Sequence, residues 1–264
     1  DSHTEITFQK WLVLCRENIK HLLSWLIKSH QPPEICVIVP TSNREKTITR
    51  CIDSILQQSY PAKEIIVVDD GSTDISKDIL KSYEAHRKIK IIFQQNRGLT
   101  ISNNIALRLA SGTFIVRLDA DDYFHIDALK NLIKGFDAPE VGMVFGDWYE
   151  IDEYGDVIER KIRHNFRRDV TLLDQPAHGA CTMFRTSYLL SMNGYDETIS
   201  RQDGFELWLR FTKTYKVNNI NTPIFYYRQH SKSLTKDEKQ LLRVRSEILE
   251  KHARKNKFKG KKKF

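Results

Sequence analysis

Five aspartates stand directly after two apolar stretches of this 264-residue chain, at positions where strands would end. Asp69 and Asp70 follow the stretch EIIVV, and Asp119, Asp121 and Asp122 follow TFIVRL. Carboxylate oxygens in such a cluster suit a hard divalent cation such as Mg²⁺ or Mn²⁺. The cation would remove the repulsion between two acids, roughly 3 kcal/mol at a separation of about 5 Å and an effective dielectric near 20. It would also bind a negatively charged ligand, most naturally a diphosphate.

Each acidic group also has a local explanation that involves no ligand. The motif DDGSTD at 69–74 is rich in turn and N-cap residues, and Asp74 is predicted to cap the next helix. The three later acids would form a capped loop before a helix predicted at HIDALKNLIKGF. Because both groups follow neighbouring strands, their combination favours a binding site over two unrelated turns.

Apolar segments that alternate with amphipathic ones predict an α/β fold, with a parallel sheet covered by helices on both faces. The predicted strands of the first half lie at 35–39, 64–68, 89–93 and 113–118, with helices between them. Further strands are predicted at 141–145, 180–184 and 224–228, and the segment 146–166 is interpreted as a loop. In such sheets ligands lie beyond the carboxyl ends of the strands, so both acidic groups should meet at one edge.

Two other phosphate-binding designs are missing from the chain. No GxxxxGK[ST] loop is present, and no GxGxxG follows the first predicted strand. The stretch VIVPTSN contains no glycine, so its backbone cannot wrap a pyrophosphate, and PTSNREK is not the glycine-rich basic loop that a nucleotidyltransferase would need. The predicted cation would therefore have to hold the phosphates.

The positive charge of the chain is concentrated at its C-terminal end. Residues 236–264 contain 12 of the 42 Lys and Arg but only 4 of the 34 Asp and Glu, so the rest of the chain has no net charge. This end is predicted either to contact an anionic surface, membrane or nucleic acid, or to be a solvated tail. A neutral body argues against a nucleic-acid groove, which needs basic residues across its contact face.

The first segment, 1–33, has apolar residues at helical spacing and predicts an amphipathic helix that ends at the prolines of QPPE. Packing within the protein is its expected role, and a second copy of the chain or a membrane surface are the alternatives. No apolar run reaches the ~18 residues of a membrane span. No cysteines have CxxC spacing, which predicts a reducing, cytoplasmic location, at most peripheral to a membrane.

Several separate motifs resemble those of family 2 glycosyltransferases, in the family's order. They cover about residues 35 to 235 and are CVIVPTSNREKTITRCIDSILQQSYPAKEIIVVDDGSTD, NRGLTISNNIALRLASGTFIVRLDADD, NGYDETISRQDGFELWLR and YRQHSKSLT. The resemblance implies a GT-A fold, with a Rossmann-like, mostly parallel central sheet flanked by helices. It divides the chain into a nucleotide-sugar-binding half, 34–124, and an acceptor-binding half, 125–235. The helix at 1–33 and a basic helix and tail at 236–264 would flank them.

The resemblance also implies an inverting transfer of a hexosyl group from a nucleotide-sugar, with a UDP-sugar as the expected donor. The acceptor would be a hydroxyl group in polysaccharide, glycolipid or other glycoconjugate synthesis. By position, Pro40, Thr41 and Asp70 would hold the base and ribose of the donor. Asp119 and Asp121 would be the DxD acids, and Asp121 is the better candidate for direct contact with Mn²⁺ or Mg²⁺.

Two residues of the later motifs complete the implied site. Asp203 falls at the position of the family's general base, and His230 falls where some members contact the diphosphate or the metal. A sugar hydroxyl is a poor nucleophile at neutral pH, so a carboxylate such as Asp203 must accept its proton. The chain departs from the family pattern at Ser42, Asn103 and Gln202, none of which is a metal ligand or the base.

An alternative interpretation keeps the fold but not the reaction. The chain would then be an inactive nucleotide-sugar-binding module, or a module associated with membrane or nucleic acid through its basic end. The intact acids argue against an inactive copy. Assembly as a homo-oligomer is compatible with either interpretation.

Overall fold

One mixed sheet forms the centre of the protein. In this computed structural model, residues 32–163, 179–229 and 238–260 are described, the last range with side chains from 239 to 253. The strands are β1 (Ile35–Thr41), β2 (Glu64–Asp70), β3 (Ile89–Gln94), β4 (Phe114–Arg117), β5 (Tyr123–Phe124), β6 (Val141–Ile151), β7 (Val157–Lys161), β8 (Thr182–Arg185) and β9 (Lys216–Arg228). The helices of these ranges are α1 (Ile48–Leu56), α2 (Ser76–Lys81), α3 (Leu99–Leu109), α4 (Ala128–Lys134), α5 (Thr186–Ser191), α6 (Asp203–Phe211) and α7 (Glu238–Gly260).

The order of the strands confirms the predicted α/β architecture. The sheet runs β3-β2-β1-β4-β8-β6-β9-β5, and β7 pairs with β6. The first four strands are parallel, β8 is antiparallel to both of its neighbours, and β9 is parallel to β6. The parallel half is the Rossmann-like part, and the strands of the second half extend the same sheet.

The two faces of the sheet bury separate apolar layers. Ile35, Val37 and Val39 of β1 lie in the layer that α1 covers, whereas Cys36 and Ile38 lie in the layer that α3 and α6 cover. Every residue of β1 is buried, and residues 35–40 form a continuous apolar run, as expected of a strand that is covered on both faces. Burial of each such side chain contributes about 1.5–3 kcal/mol to the stability of the fold. This packing holds in place the strands whose ends carry the acids.

The prediction of a loop at 146–166 is wrong for its described part, 146–163, which contains two strand segments. β6 continues to Ile151, and β7 returns antiparallel to it. Oδ1 of Asp152 accepts hydrogen bonds from the backbone N–H groups of Tyr154, Gly155 and Asp156, and these bonds close the turn between the strands. The residues of β7 are mostly exposed, so the apolar alternation that would have revealed the strand is absent.

The basic C-terminal segment forms a helix that packs on the protein. Leu241, Arg245, Ile248 and His252 of α7 are all buried, at the spacing of one helical face. A contact between the basic end and an anionic surface stays a prediction, as does the amphipathic helix predicted at 1–33, of which 1–31 lie outside the described ranges. Within those ranges, no helix combines the length and apolar character that a membrane crossing requires.

Candidate active site

The carboxyl ends of the parallel strands meet at one edge, as the sequence predicts. Thr41 of β1 is in register with Asp69 of β2, and β4 lies on the other side of β1, with Arg117 opposite Ile38. The chain leaves β4 through Leu118 into the acidic cluster. The two acidic groups therefore flank the end of the same central strand.

Asp70 shapes the loop that follows β3. Its carboxylate accepts hydrogen bonds from the backbone N–H groups of Arg97 at 2.7 Å and Gly98 at 2.8 Å, and from Nε2 of Gln94 at 2.7 Å. Gly98 has φ of +96°, a backbone conformation that favours glycine. Asp70 thus holds the protein's own backbone beside the strand ends, and its contact with a nucleotide stays a prediction.

Several buried polar atoms near these strand ends have no internal hydrogen-bond partner. Within the described residues this is true of Oγ1 of Thr41, Oδ2 of Asp69 and both amide atoms of Asn103 on α3. Pro40 is buried and in register with Val68. A buried polar group without a partner is destabilising by about 1–3 kcal/mol, so these atoms are suited to a polar ligand.

Arginines balance the charge of the acidic cluster after β4. Arg117 pairs with Asp119, with Nε 2.8 Å from Oδ1 and Nη2 3.3 Å from Oδ2. Arg44, from the loop after β1, pairs with Asp121, with 3.2 Å between Nη2 and Oδ2. The repulsion expected from the sequence is therefore already reduced by two side chains of the chain itself.

Asp122 has a different environment from the two acids before it. Its side chain is fully buried, and Oδ1 accepts a hydrogen bond of 2.9 Å from the backbone N–H of Arg228. Burial, with added repulsion from Asp121 and Asp119, raises the pKa of Asp122 well above its ordinary value. Burial also raises the pKa of Asp119, although Arg117 opposes this change. A further positive charge beside the cluster would counteract both shifts.

Asp203 lies on the other side of Arg117. It is the first residue of α6, and the residue before it, Gln202, adopts a left-handed conformation with φ of +59°. Nη1 of Arg117 donates a short hydrogen bond to Oδ2 of Asp203. Arg117 is only 3% exposed, and Gly179 lies directly against the pair, so that a Cβ at that position would be 2.9 Å from Oδ2 of Asp203. One guanidinium therefore joins the predicted base to the predicted DxD acid.

The acids fit a cation that substrate phosphates help to hold. Among the described residues, no three His, Cys, Asp or Glu side chains are grouped to bind a metal ion. Mg²⁺ is commonly bound by only one or two carboxylates together with substrate phosphates, and Asp119 and Asp121 supply two. In the same part of the chain, Oδ1 of Asp119 and Oδ2 of Asp122 are buried and make no hydrogen bond. His230 lies outside the described residues, so its metal contact stays a prediction.

Two buried side chains of the site were not predicted from the sequence. Arg117 interrupts an otherwise apolar strand, and a buried arginine requires an acidic partner, so its position in FIVRL was the available signal. Asn104 on α3 accepts from the N–H of Tyr195 at 2.8 Å and donates to its carbonyl at 2.9 Å, and also donates to Glu197. The hydrogen bonds of Asn104 therefore connect the NGYDE motif to the nucleotide-binding half.

The C-terminal helix supports the segment that carries Asp203. Nε of Arg245 donates a hydrogen bond of 2.9 Å to Oε1 of Gln202. Glu206, which is buried, pairs with Arg210 at 2.7 Å within α6 and lies 3.2 Å from Nε2 of His252 on α7. The neutral residue before Asp203, a departure from the family pattern, thus has a cationic partner on α7.

Comparison with known proteins identifies the family. A profile described as glycosyl transferase family 2 matches residues 36–217. The UDP-Glc:alpha-D-GlcNAc-diphosphoundecaprenol beta-1,3-glucosyltransferase WfaP of Escherichia coli is 28% identical over 221 residues, covering 79% of this chain and 83% of that protein. Several other curated relatives are much longer, and the chain spans 17% to 40% of their length.

Solved structures show the same fold. TarS 1–349 of S. aureus, in complex with UDP-GlcNAc, has a TM-score of 0.61 at 24% identity, covering 77% of this chain and 61% of that one. The mannosyltransferase PcManGT of Pyrobaculum calidifontis, in complex with GDP-Man and Mn²⁺, has a TM-score of 0.58 at 23% identity, covering 76% and 57%. The chain therefore belongs to glycosyl transferase family 2 and has the mixed α/β sheet and flanking helices of the GT-A fold.

Proposed function

We propose that this chain transfers a sugar, with inversion, from a nucleotide-sugar to an acceptor hydroxyl, and that the reaction depends on Mg²⁺ or Mn²⁺. The observation that carries the proposal is the position of Arg117 between Asp119 and Asp203. Asp119 is suited to bind the donor's cation and Asp203 is suited to accept a proton, and both carboxylates contact the same guanidinium. The names of relatives support a UDP-sugar as the donor, because WfaP uses UDP-Glc and TarS was solved with UDP-GlcNAc.

The donor side of the site would hold a nucleoside diphosphate at the ends of β1 and β2. The partnerless polar atoms of Thr41, Asp69 and Asn103 are suited to the polar groups of the base and ribose. A divalent cation held by Asp119 and Asp121 would stabilise the negative charge that grows on the leaving diphosphate. His230 is a further proposed contact of the diphosphate or the cation.

Asp203 would act as the general base for the acceptor. Its side chain is 11% exposed, so a sugar hydroxyl can reach it, and Arg117 orients its carboxylate. The Asp203 carboxylate accepts the hydroxyl proton as the acceptor oxygen bonds to the anomeric carbon and the bond to the diphosphate breaks. A single displacement of this kind inverts the configuration of the anomeric carbon.

The Asp203→Asn variant tests the proposal. We expect turnover of UDP-Glc and UDP-GlcNAc, with oligosaccharide acceptors and Mn²⁺, to fall by about 10²–10⁴-fold, because the amide cannot accept the proton. Binding of UDP should stay nearly unchanged, since Asp203 is assigned to the acceptor side. Asp78→Asn is the matched control, because Asp78 lies on α2, where its carboxylate pairs with Lys81 at 2.9 Å.

Two results would contradict the proposal. Normal turnover by Asp203→Asn would remove Asp203 from the role of base. Absence of transfer and of donor hydrolysis by the unaltered chain, with UDP still bound in the presence of Mn²⁺, would favour the inactive nucleotide-sugar-binding module instead.

A further inference from the structure

We infer that Arg117 is an internal counter-ion that exchanges partners when the donor binds. In this scheme the guanidinium neutralises Asp119 until the donor's cation replaces it there, and it holds the Asp203 carboxylate in place throughout. Arg117 is therefore a positioning residue: the same side chain that pairs with the predicted cation ligand Asp119 also orients the predicted base Asp203. This inference rests on the proposed function and adds a residue to it.

The geometry supports two separate attachments of one side chain. Nε and Nη2 of Arg117 face the two oxygens of Asp119, at 2.8 Å and 3.3 Å, whereas Nη1 donates to Oδ2 of Asp203. The two carboxylates thus use different edges of the guanidinium. Loss of the contact with Asp119 would leave the bond to Asp203 intact.

The contact with Asp119 is the weaker of the two attachments. Although Nε of Arg117 and Oδ1 of Asp119 are 2.8 Å apart, neither atom makes a hydrogen bond of acceptable geometry within the described part of the chain, and the hydrogen bond from Nη2 to Oδ2 of Asp119 is long, at 3.3 Å. The contact with Asp203 does meet hydrogen-bond geometry. A divalent cation that competes for Asp119 would therefore displace the poorly aligned contact and leave the well-aligned one.

The surroundings of Arg117 prevent it from leaving the site. Its side chain is 3% exposed, and a Cβ at Gly179 would lie 2.7 Å from Nη2. A guanidinium enclosed in this way cannot turn to solvent when a cation takes Asp119, because an unpaired buried charge is strongly destabilising. Its remaining acidic partner is Asp203, so cation binding would tighten the hold on the base.

The proposal predicts that removing the charge of Arg117 changes cation binding and turnover in opposite directions. In Arg117→Gln, Asp119 loses its competing counter-ion, so Mn²⁺ should bind roughly tenfold more tightly. The same variant loses the bond that orients Asp203, and turnover should fall by about 10²-fold. A purely structural role would weaken both properties together.

The measurement is a titration of free Mn²⁺ by electron paramagnetic resonance, with the full chain and saturating UDP, beside steady-state kinetics with UDP-GlcNAc. Arg117→Lys separates charge from shape, because a single ammonium keeps the charge but cannot present two edges to two carboxylates. We expect this variant to keep the Mn²⁺ affinity of the unaltered chain and still lose turnover. It also keeps the test valid if Arg117→Gln does not fold.

Arg185→Gln is the matched control. Arg185 on the neighbouring strand β8 is a half-buried arginine that donates to the carbonyls of Val141 and Ala138, at 2.9 Å and 3.2 Å. Its loss should leave Mn²⁺ affinity unchanged. Weaker or equal Mn²⁺ binding by Arg117→Gln would overturn the inference, and so would tighter binding by Arg117→Lys. If the unaltered chain binds no Mn²⁺ with UDP, the proposed function itself fails.

Discussion

Adding one methyl group at Gly179 should disturb the base without removing any polar group. A Cβ there would lie 2.7 Å from Nη2 and 2.9 Å from Nη1 of Arg117, and 2.9 Å from Oδ2 of Asp203, whereas ordinary contact begins at 3.4 Å. The guanidinium and the carboxylate must therefore move by about 0.5–0.7 Å in Gly179→Ala. A displacement approaching 1 Å at a reacting group can lower a rate by about 10²-fold, so we expect kcat to fall by about 10–100-fold.

This fall corresponds to about 1.4–2.7 kcal/mol in the activation free energy. The assay is the initial rate of UDP release at saturating UDP-GlcNAc and acceptor, with calorimetry of UDP binding and thermal unfolding of the same preparation. UDP affinity should be retained, since Gly179→Ala removes no polar group that is assigned to the donor. A kcat within twofold of the unaltered chain, with the fold intact, would refute the claim that the Arg117–Asp203 contact sets the position of the base.

Two further variants test the packing that surrounds the site. Burial alone would raise the pKa of Asp196, but hydrogen bonds from Lys251 and Thr198 hold it well below its ordinary value. An acid with a lowered pKa stabilises the fold at pH values above its unfolded pKa. Asp196→Asn should therefore lower the free energy of unfolding by about 1–2 kcal/mol at pH 7, and this difference from the unaltered chain should shrink below about pH 4. Urea titrations at pH 7 and pH 3 would measure both values. Asn104→Ala leaves the buried N–H and C=O of Tyr195 without partners and should lower the free energy of unfolding by about 2–4 kcal/mol, and a change below 0.5 kcal/mol would contradict the connecting role of Asn104.

Local patterns were sufficient to predict the strand ends and the acids that follow them. Continuous apolar runs predicted β1, β2 and β4, and the carboxyl ends of parallel strands share an edge by geometry alone. β7 was missed because its residues are mostly exposed and the signal for its turn lies in side-chain bonds of Asp152. Apolar periodicity in a sequence arises where side chains are buried, so a strand whose side chains face solvent does not show it.

The partners of the acids could not be predicted in the same way. The contact of Arg117 with Asp203 joins residues 86 positions apart, and the contact of Arg44 with Asp121 joins different loops. Charge repulsion among the acids was predicted correctly, but its compensation was assigned to a cation alone. The sequence contains arginines that could compensate the acids in place of a cation, but it does not show which of them do so. Only the fold brings Arg117 of β4 and Asp203 of α6 together.

The burial of Arg117 links formation of the site to folding of the second half. The guanidinium at the end of β4 would lose one of its two acidic partners if α6 did not bring Asp203 to it, and the loss of a partner from a buried ion pair is strongly destabilising. The start of α6 is in turn held by α7, through the bond from Arg245 to Gln202. The charge at β4 therefore stabilises the arrangement in which the base faces the donor side. Partial unfolding of α6 would expose this arginine and remove the base in the same step, so local stability and activity should be lost together.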